Sequence, residues 1–202
     1  MKKIISLCLA LCMICALSVS AFAADIDTNG GSGSTPVNLS STDDGTIGGD
    51  PSATAMSVTL PTALPMAMAQ NGDVTTADNC QIVNNSYGAV RIASVTITTA
   101  NGWKLTAFGD KTTLANEKVD SNKLGFALSV GNGTQTVTDN SDASSQRLIS
   151  APISGCYMSG VGDTTGNSVN IAYSAIVTPL SGAVNNATVA NVVFVIEWDI
   201  AD

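Results

Sequence analysis

From position 57 onward apolar and polar residues tend to alternate with a period of two, the pattern of strands with one face in a core. Ser57-Val58-Thr59-Leu60 alternates, and Pro61 and Pro65 then bracket a short bend. Gln81-Ile82-Val83 stops at the turn residues Asn84-Asn85-Ser86-Tyr87-Gly88. The strongest strand signal is Ala89-Val90-Arg91-Ile92-Ala93-Ser94-Val95-Thr96-Ile97-Thr98, alternating over ten positions and ended by Asn101-Gly102. Trp103-Lys104-Leu105-Thr106 alternates again. Gly125-Phe126-Ala127-Leu128-Ser129-Val130 reaches Gly131-Asn132-Gly133, after which residues 134–137 can return as a hairpin. Arg147-Leu148-Ile149, then residues 169–177 and 189–200, complete the set. In the last of these, Val192-Val193-Phe194-Val195-Ile196-Glu197-Trp198 is apolar at nearly every position, which predicts a strand covered on both faces and central in its sheet. Helix is expected only over residues 112–118, where Ala115, Glu117 and Lys118 favour it. Many short strands joined by Gly, Asn and Ser turns predict an all-β fold, a single β-sandwich of the immunoglobulin-like or Greek-key type.

The pattern before position 55 is different. Residues 1–23 carry Lys2 and Lys3, an apolar run from Ile4 to about Leu17, and the small-x-small end Ala21-Phe22-Ala23, the three parts of a secretory signal. Cleavage is expected between Ala23 and Ala24, since the apolar run is shorter than the roughly 20 residues that span a bilayer. No small residue precedes Cys12 or Cys15, so a lipid anchor is not expected. Residues 24–54 read as a flexible acidic linker: positions 25–54 hold six glycines, five aspartates, five apolar residues and no Lys or Arg. The sandwich is assigned to residues 55–202.

Charge and composition narrow the chemistry. The chain has a formal charge of −8 and no histidine. Loss of Lys2 and Lys3 leaves six basic against sixteen acidic residues, a net charge of −10. Such a surface repels nucleic acid and anionic lipid. The missing imidazole removes Ser-His-Asp and Cys-His catalysis and His-ligated metal sites. No phosphate loop, GxGxxG after a strand, GxSxG, HExxH or paired CxxC is present. Two carboxylates could hydrolyse a glycoside, but the acids are mostly Asp beside Asn, Ser and Thr, where they cap turns, and aromatics are only 4%. The expectation is therefore a non-enzymatic protein without a cofactor, and a carboxylate-dependent glycan-active enzyme is the third-ranked reading.

Two smaller features add candidates. Asp139-Asn140-Ser141-Asp142 and Asp43-Asp44 offer oxygen ligands for a weak calcium site, without EF-hand spacing, and otherwise read as solvated turns. Cys80 and Cys156 are the cysteines left after signal removal, and in an oxidising compartment they read either as one disulfide or as two unrelated buried thiols. All six remaining basic residues lie between positions 91 and 147, flanked by stretches holding only acids. That pattern is either a solvated surface or a source of head-to-tail attraction between copies. Leu60-Pro61-Thr62-Ala63-Leu64 begins like a sortase signal but lacks Thr-Gly and a following apolar tail, so covalent wall anchoring by that route is not expected.

Gly102-Trp103-Lys104-Leu105-Thr106 and Val195-Ile196-Glu197-Trp198-Asp199-Ile200 resemble the two Trp-x-Leu motifs of the WxL surface domains of Gram-positive bacteria, the second with Ile in place of Leu. This resemblance implies a β-sandwich held non-covalently at the cell wall, with Trp103, Leu105, Trp198 and Ile200 as wall-binding positions; a Trp alternating with Leu or Ile on a strand otherwise reads as core. In signal, size and apolar final strand the chain is also similar to the camelysin and TasA-like matrix fibre proteins. The leading expectation is thus an extracellular or cell-surface protein whose partners are wall glycan or other surface proteins, with no membrane attachment after processing. The alternative is a subunit of an extracellular fibre, pilus or matrix in which the segment around residues 55–60 pairs with a sheet edge of the next molecule.

Overall fold

The computed structural model describes residue 39, residues 53–139 and residues 142–201. Contacts divide the chain into Met1–Ala53 and Thr54–Asp202. The expected signal segment with Ala23 and Ala24, almost all of the expected acidic linker, and Asp43-Asp44 lie outside the described residues.

The second unit is an all-β sandwich. Its first sheet has the order β1 (Val58–Thr59), β4 (Cys80–Asn84), β11 (Ser168–Val177), β7 (Lys123–Val130), β6 (Lys104–Thr106), with β8 (Thr136–Val137) also on β7. The second sheet places β5 (Val90–Thr99) between β12 (Ala190–Trp198) on one side and both β9 (Ser145–Ile149) and β10 (Tyr157–Met158) on the other. All pairings are antiparallel except β6 with β7. None of the three longest strands, β5, β11 and β12, pairs with its neighbour in sequence, because the chain keeps switching sheets. A separate hairpin joins β2 (Met66–Met68) to β3 (Val74–Thr76).

Period two becomes burial directly. On β5, Val90, Ile92, Val95 and Ile97 are fully buried while Arg91, Thr96 and Thr98 stand on the other face. On β11 the same alternation buries Val169, Ile171, Tyr173 and Ala175. Those side chains meet Ile82, Leu105, Leu124, Leu128 and Met158 in one core. At roughly 25 cal/mol per Å² of apolar surface removed from water, this layer is the main source of stability.

One expectation is corrected by the sheet order. The strand buried at almost every position is β7, enclosed by β11, β6 and β8. β12, expected at the centre, is instead an edge strand that pairs with β5 alone. Its apolar character has two origins: Val192, Phe194, Ile196 and Trp198 pack partly onto the core, whereas Val193 and Val195 stand exposed on the outer face. The helix α1 (Thr112–Ala115) is one turn, shorter than expected, fixed by its buried Leu114 and by Asp110 Oδ1 accepting from the Thr112 N–H at 2.9 Å. The returning strand after Gly131-Asn132-Gly133 is present as β8, opposite Ala127 and Leu128.

Residues 60–65 close one side of the sandwich. They run beside Ala190, Val192 and Phe194 of β12 and also beside Cys80 and Gln81 of β4. Tyr173 ties this strap down, donating from its hydroxyl to the Pro65 carbonyl and accepting from the Ala77 N–H at 3.2 Å. Pro61 and Pro65 keep the strap from forming a regular ladder with β12, because proline has no N–H to donate.

Candidate functional site: the tryptophan positions and the open edge of β12

The two tryptophans are placed by opposite ends of one strand pair. Trp103 follows β5 and donates its backbone N–H to Ala100, whose own N–H is bonded to Val189 just before β12 begins. Trp198 closes β12 opposite Val90, at the start of β5. With ten residues in β5, the motifs are separated by roughly 30 Å of strand. Both indoles are partly buried against the core, Leu105 is fully buried on β6, and Ile200 is 72% exposed beyond β12. The four motif positions therefore do not converge on one surface.

Trp198 is held by a close approach. A methyl group built on Gly88 would lie 2.9 Å from Cζ3 of its ring, so the loop at Gly88 admits the indole only because it has no side chain. That loop is fixed by Asn84, fully buried and fully used: its amide donates to the carbonyls of Gly88 (2.9 Å) and Ser159 (2.8 Å), and its Oδ1 accepts from the Ser86 N–H. Beside it, the Arg91 guanidinium lies 3.6 Å from Glu197 and 3.8 Å from Asp199, which offsets the acids at the end of β12.

The backbone of β12 has a defined open side. The Val189 carbonyl accepts from Ala100 and the Asp199 N–H donates to Ala89, so odd-numbered residues at both ends turn their backbone toward β5. The register shift between the two strands leaves out Ala93 of β5, and side-chain exposure along β12 alternates without a break. By the alternation of an antiparallel ladder, the N–H and C=O groups of Ala190, Val192, Phe194, Ile196 and Trp198 therefore point away from β5. No strand among the described residues pairs with that side. The strap of residues 60–65 passes beside Ala190, Val192 and Phe194 without forming a ladder with them, while of the other edges β1 has two residues and Leu105 of β6 bridges Ala143.

Other candidates resolve individually. Val58 and Thr59, expected to reach toward another molecule, pair with Asn84 and Val83 of the same chain. Cys80 and Cys156 are separate buried thiols: Cys80 lies on β4, opposite Ile171 in the first sheet, and Cys156 immediately precedes β10 in the second. The bridge, one of two readings of this pair, is not formed. Burial raises the Cys156 thiol above its ordinary pKa and makes it a poor nucleophile. Asn140 and Ser141 lie outside the described residues, and Asp142 stands 3.9 Å from Lys123, which also bonds Glu117 at 3.0 Å. No group of three or more potential metal ligands occurs among the described residues.

The carboxylates serve turns. Asp73, Asp110, Asp120 and Asp163 are all held below the ordinary value of 3.8, by hydrogen bonds led by Lys111, Thr112, Ser181 and Thr165 respectively. The buried polar residues among those described are Asn84, Ser86, Thr138 and Thr178. A general acid needs the opposite environment, a carboxyl raised by burial. No helix among the described residues is long and apolar enough to cross a membrane.

In comparisons with known proteins, no family model, curated protein or solved structure matches this chain.

Proposed function

We propose that this chain is an exported, non-enzymatic surface or matrix protein of a Gram-positive-type bacterium, and that its sandwich makes contact by accepting a strand at the open edge of β12. One observation carries the reading: a nine-residue edge strand whose exposed face holds Val193 and Val195, and past whose first half the chain's own strap, residues 60–65, runs without pairing with it. Edges of soluble domains are normally blunted by proline, inward charges, a bulge or a short strand. Residues 190–198 contain no Pro, Gly, Lys or Arg, and Glu197 is the single charge. An added strand would satisfy the five outward N–H and C=O pairs, which no strand among the described residues meets, and cover the valines. The export signal, the acidic charge and the turn-bound carboxylates agree with a protein that binds or builds.

The test is retention at the cell surface. Val192→Pro removes an outward-pointing donor and no bond to β5, so the variant should fold and be exported yet be released to the medium. Equal retention of variant and parent would contradict the proposal.

A second reading, wall-glycan binding through the motif positions, is favoured by the partial exposure of Trp103 and Trp198. It expects the purified protein to sediment with peptidoglycan and to lose this on Trp103→Ala or Trp198→Ala with the fold intact. A folded parent protein left in the supernatant would dismiss it.

A further inference from the structure

We infer that the strand accepted by β12 is β12 of a second copy, paired antiparallel about a two-fold axis at Phe194; this inference rests on the edge-pairing reading above. The reason is self-complementarity. Outward from Phe194, the strand matches itself: Val193 falls opposite Val195 of the second copy, Val192 opposite Ile196, Asn191 opposite Glu197, and the small Ala190 opposite the large Trp198. An isologous interface requires this property.

Hydrogen-bond phase and charge select the same register. Even-numbered residues carry the open N–H and C=O groups, and a two-fold at Phe194 sets even opposite even, so every open pair meets another. Sliding one strand by two residues opposes Val195 to Asn191 in one direction, or Val193 to Glu197 in the other. Either slide sets a valine of the exposed face against a polar or charged group. In the two-fold register each Glu197 faces a neutral amide rather than another acid, and its own Arg91, 3.6 Å away, stays with it. The valines of both copies then form one apolar strip on the outer face of a sheet that runs unbroken through the pair.

Cysteine cross-linking reads the register. Val193 and Val195 would be non-hydrogen-bonded neighbours across the interface, where Cα atoms approach to about 4.5 Å. Val193→Cys and Val195→Cys are prepared separately in the chain without residues 1–23, mixed and mildly oxidised; its two native thiols, Cys80 and Cys156, are buried and do not compete. The mixture should give a cross-linked dimer that neither variant gives alone, and adding Val192→Pro to both should reduce it about tenfold, equivalent to 1.4 kcal/mol of lost association. Self-cross-linking of either variant alone, as strongly as in the mixture, would overturn the register. Larger oligomers that vanish with Val192→Pro but never form the mixed cross-link would overturn the two-fold while leaving edge pairing in place. A chain that stays monomeric in sedimentation at all concentrations overturns the inference; if Val192→Pro also leaves surface retention unchanged, the edge reading fails with it.

Discussion

At the scale of single residues, stability depends on a few positions where the backbone tolerates no substitution. Gly155 has φ +92°, and a methyl group there would lie 2.3 Å from the Val130 carbonyl oxygen. Gly155→Ala combines a left-handed backbone with a clash against main chain, and it should cost about 3 kcal/mol, measurable as a lower urea midpoint. Gly72, also at positive φ but with open space around it, should lose less on the same change, about 1 kcal/mol. The buried thiols give a second residue-scale prediction. Cys80 and Cys156 should resist alkylation in the native protein and take two labels on unfolding, with no change in thermal midpoint on adding a reductant. A reductant-dependent midpoint would show that they are bonded. Asn84 illustrates what composition hides: it reads as a turn residue, yet its side chain ties the Gly88 loop, against which Trp198 packs, to the loop at Ser159.

Among the elements, the strands with buried alternation were legible and the short ones were not. The β5 and β11 patterns translate directly, because a single face meets the core and every second residue must be apolar. β7 and β12 look alike in sequence, since both are apolar at almost every position, but one is enclosed and the other is at an edge. Periodicity reports how many faces are apolar, and the identity of the neighbours is decided by topology. The β2–β3 hairpin is not legible although Asn71-Gly72 marks its turn, because Met66-Ala67-Met68 gives no clear alternation. Likewise the tryptophan motifs were legible as strand ends, but their separation depends on how β5 and β12 pair. The element-scale prediction concerns parity along β12. Proline at Val192 should leave the protein folded, at a cost of about 1 kcal/mol for the lost packing of its partly buried side chain, whereas Val193→Pro, which removes a bond to β5, should cost about 3 kcal/mol or more, read from denaturant midpoints of the two variants. Equal destabilisation by the two would contradict the assignment of inward and outward groups.

For the whole molecule, the acidic surface sets the pH dependence. Asp73, Asp110, Asp120 and Asp163 titrate lower in the folded protein than the ordinary 3.8, so the unfolded chain binds more protons as pH falls. Their stabilisation is present above pH 3.8 and is lost as pH drops through the folded values. Unfolding midpoints should therefore decline below about pH 4, and Asp120→Asn with Asp163→Asn should flatten that decline. Lys123 has the opposite sign: its bond to Glu117 raises its pKa above 10.5, so its contribution is present below that pH and lost as pH rises through the folded value. Neither effect touches β12, whose proposed contacts are mainly backbone and apolar with Glu197 as the one charge, so assembly through the edge should largely persist in salt that weakens the surface ion pairs.

The most direct measurement of the central claim is amide hydrogen exchange along β12 in dilute and in concentrated protein. The odd-numbered amides of Val193, Val195 and Glu197 should be protected in both, because they bond to β5. Those of Val192, Phe194 and Ile196 should exchange quickly when dilute and become protected when concentrated. Protection of the even-numbered amides in the dilute monomer, or their continued fast exchange in the assembled protein, would contradict an open edge that accepts a strand.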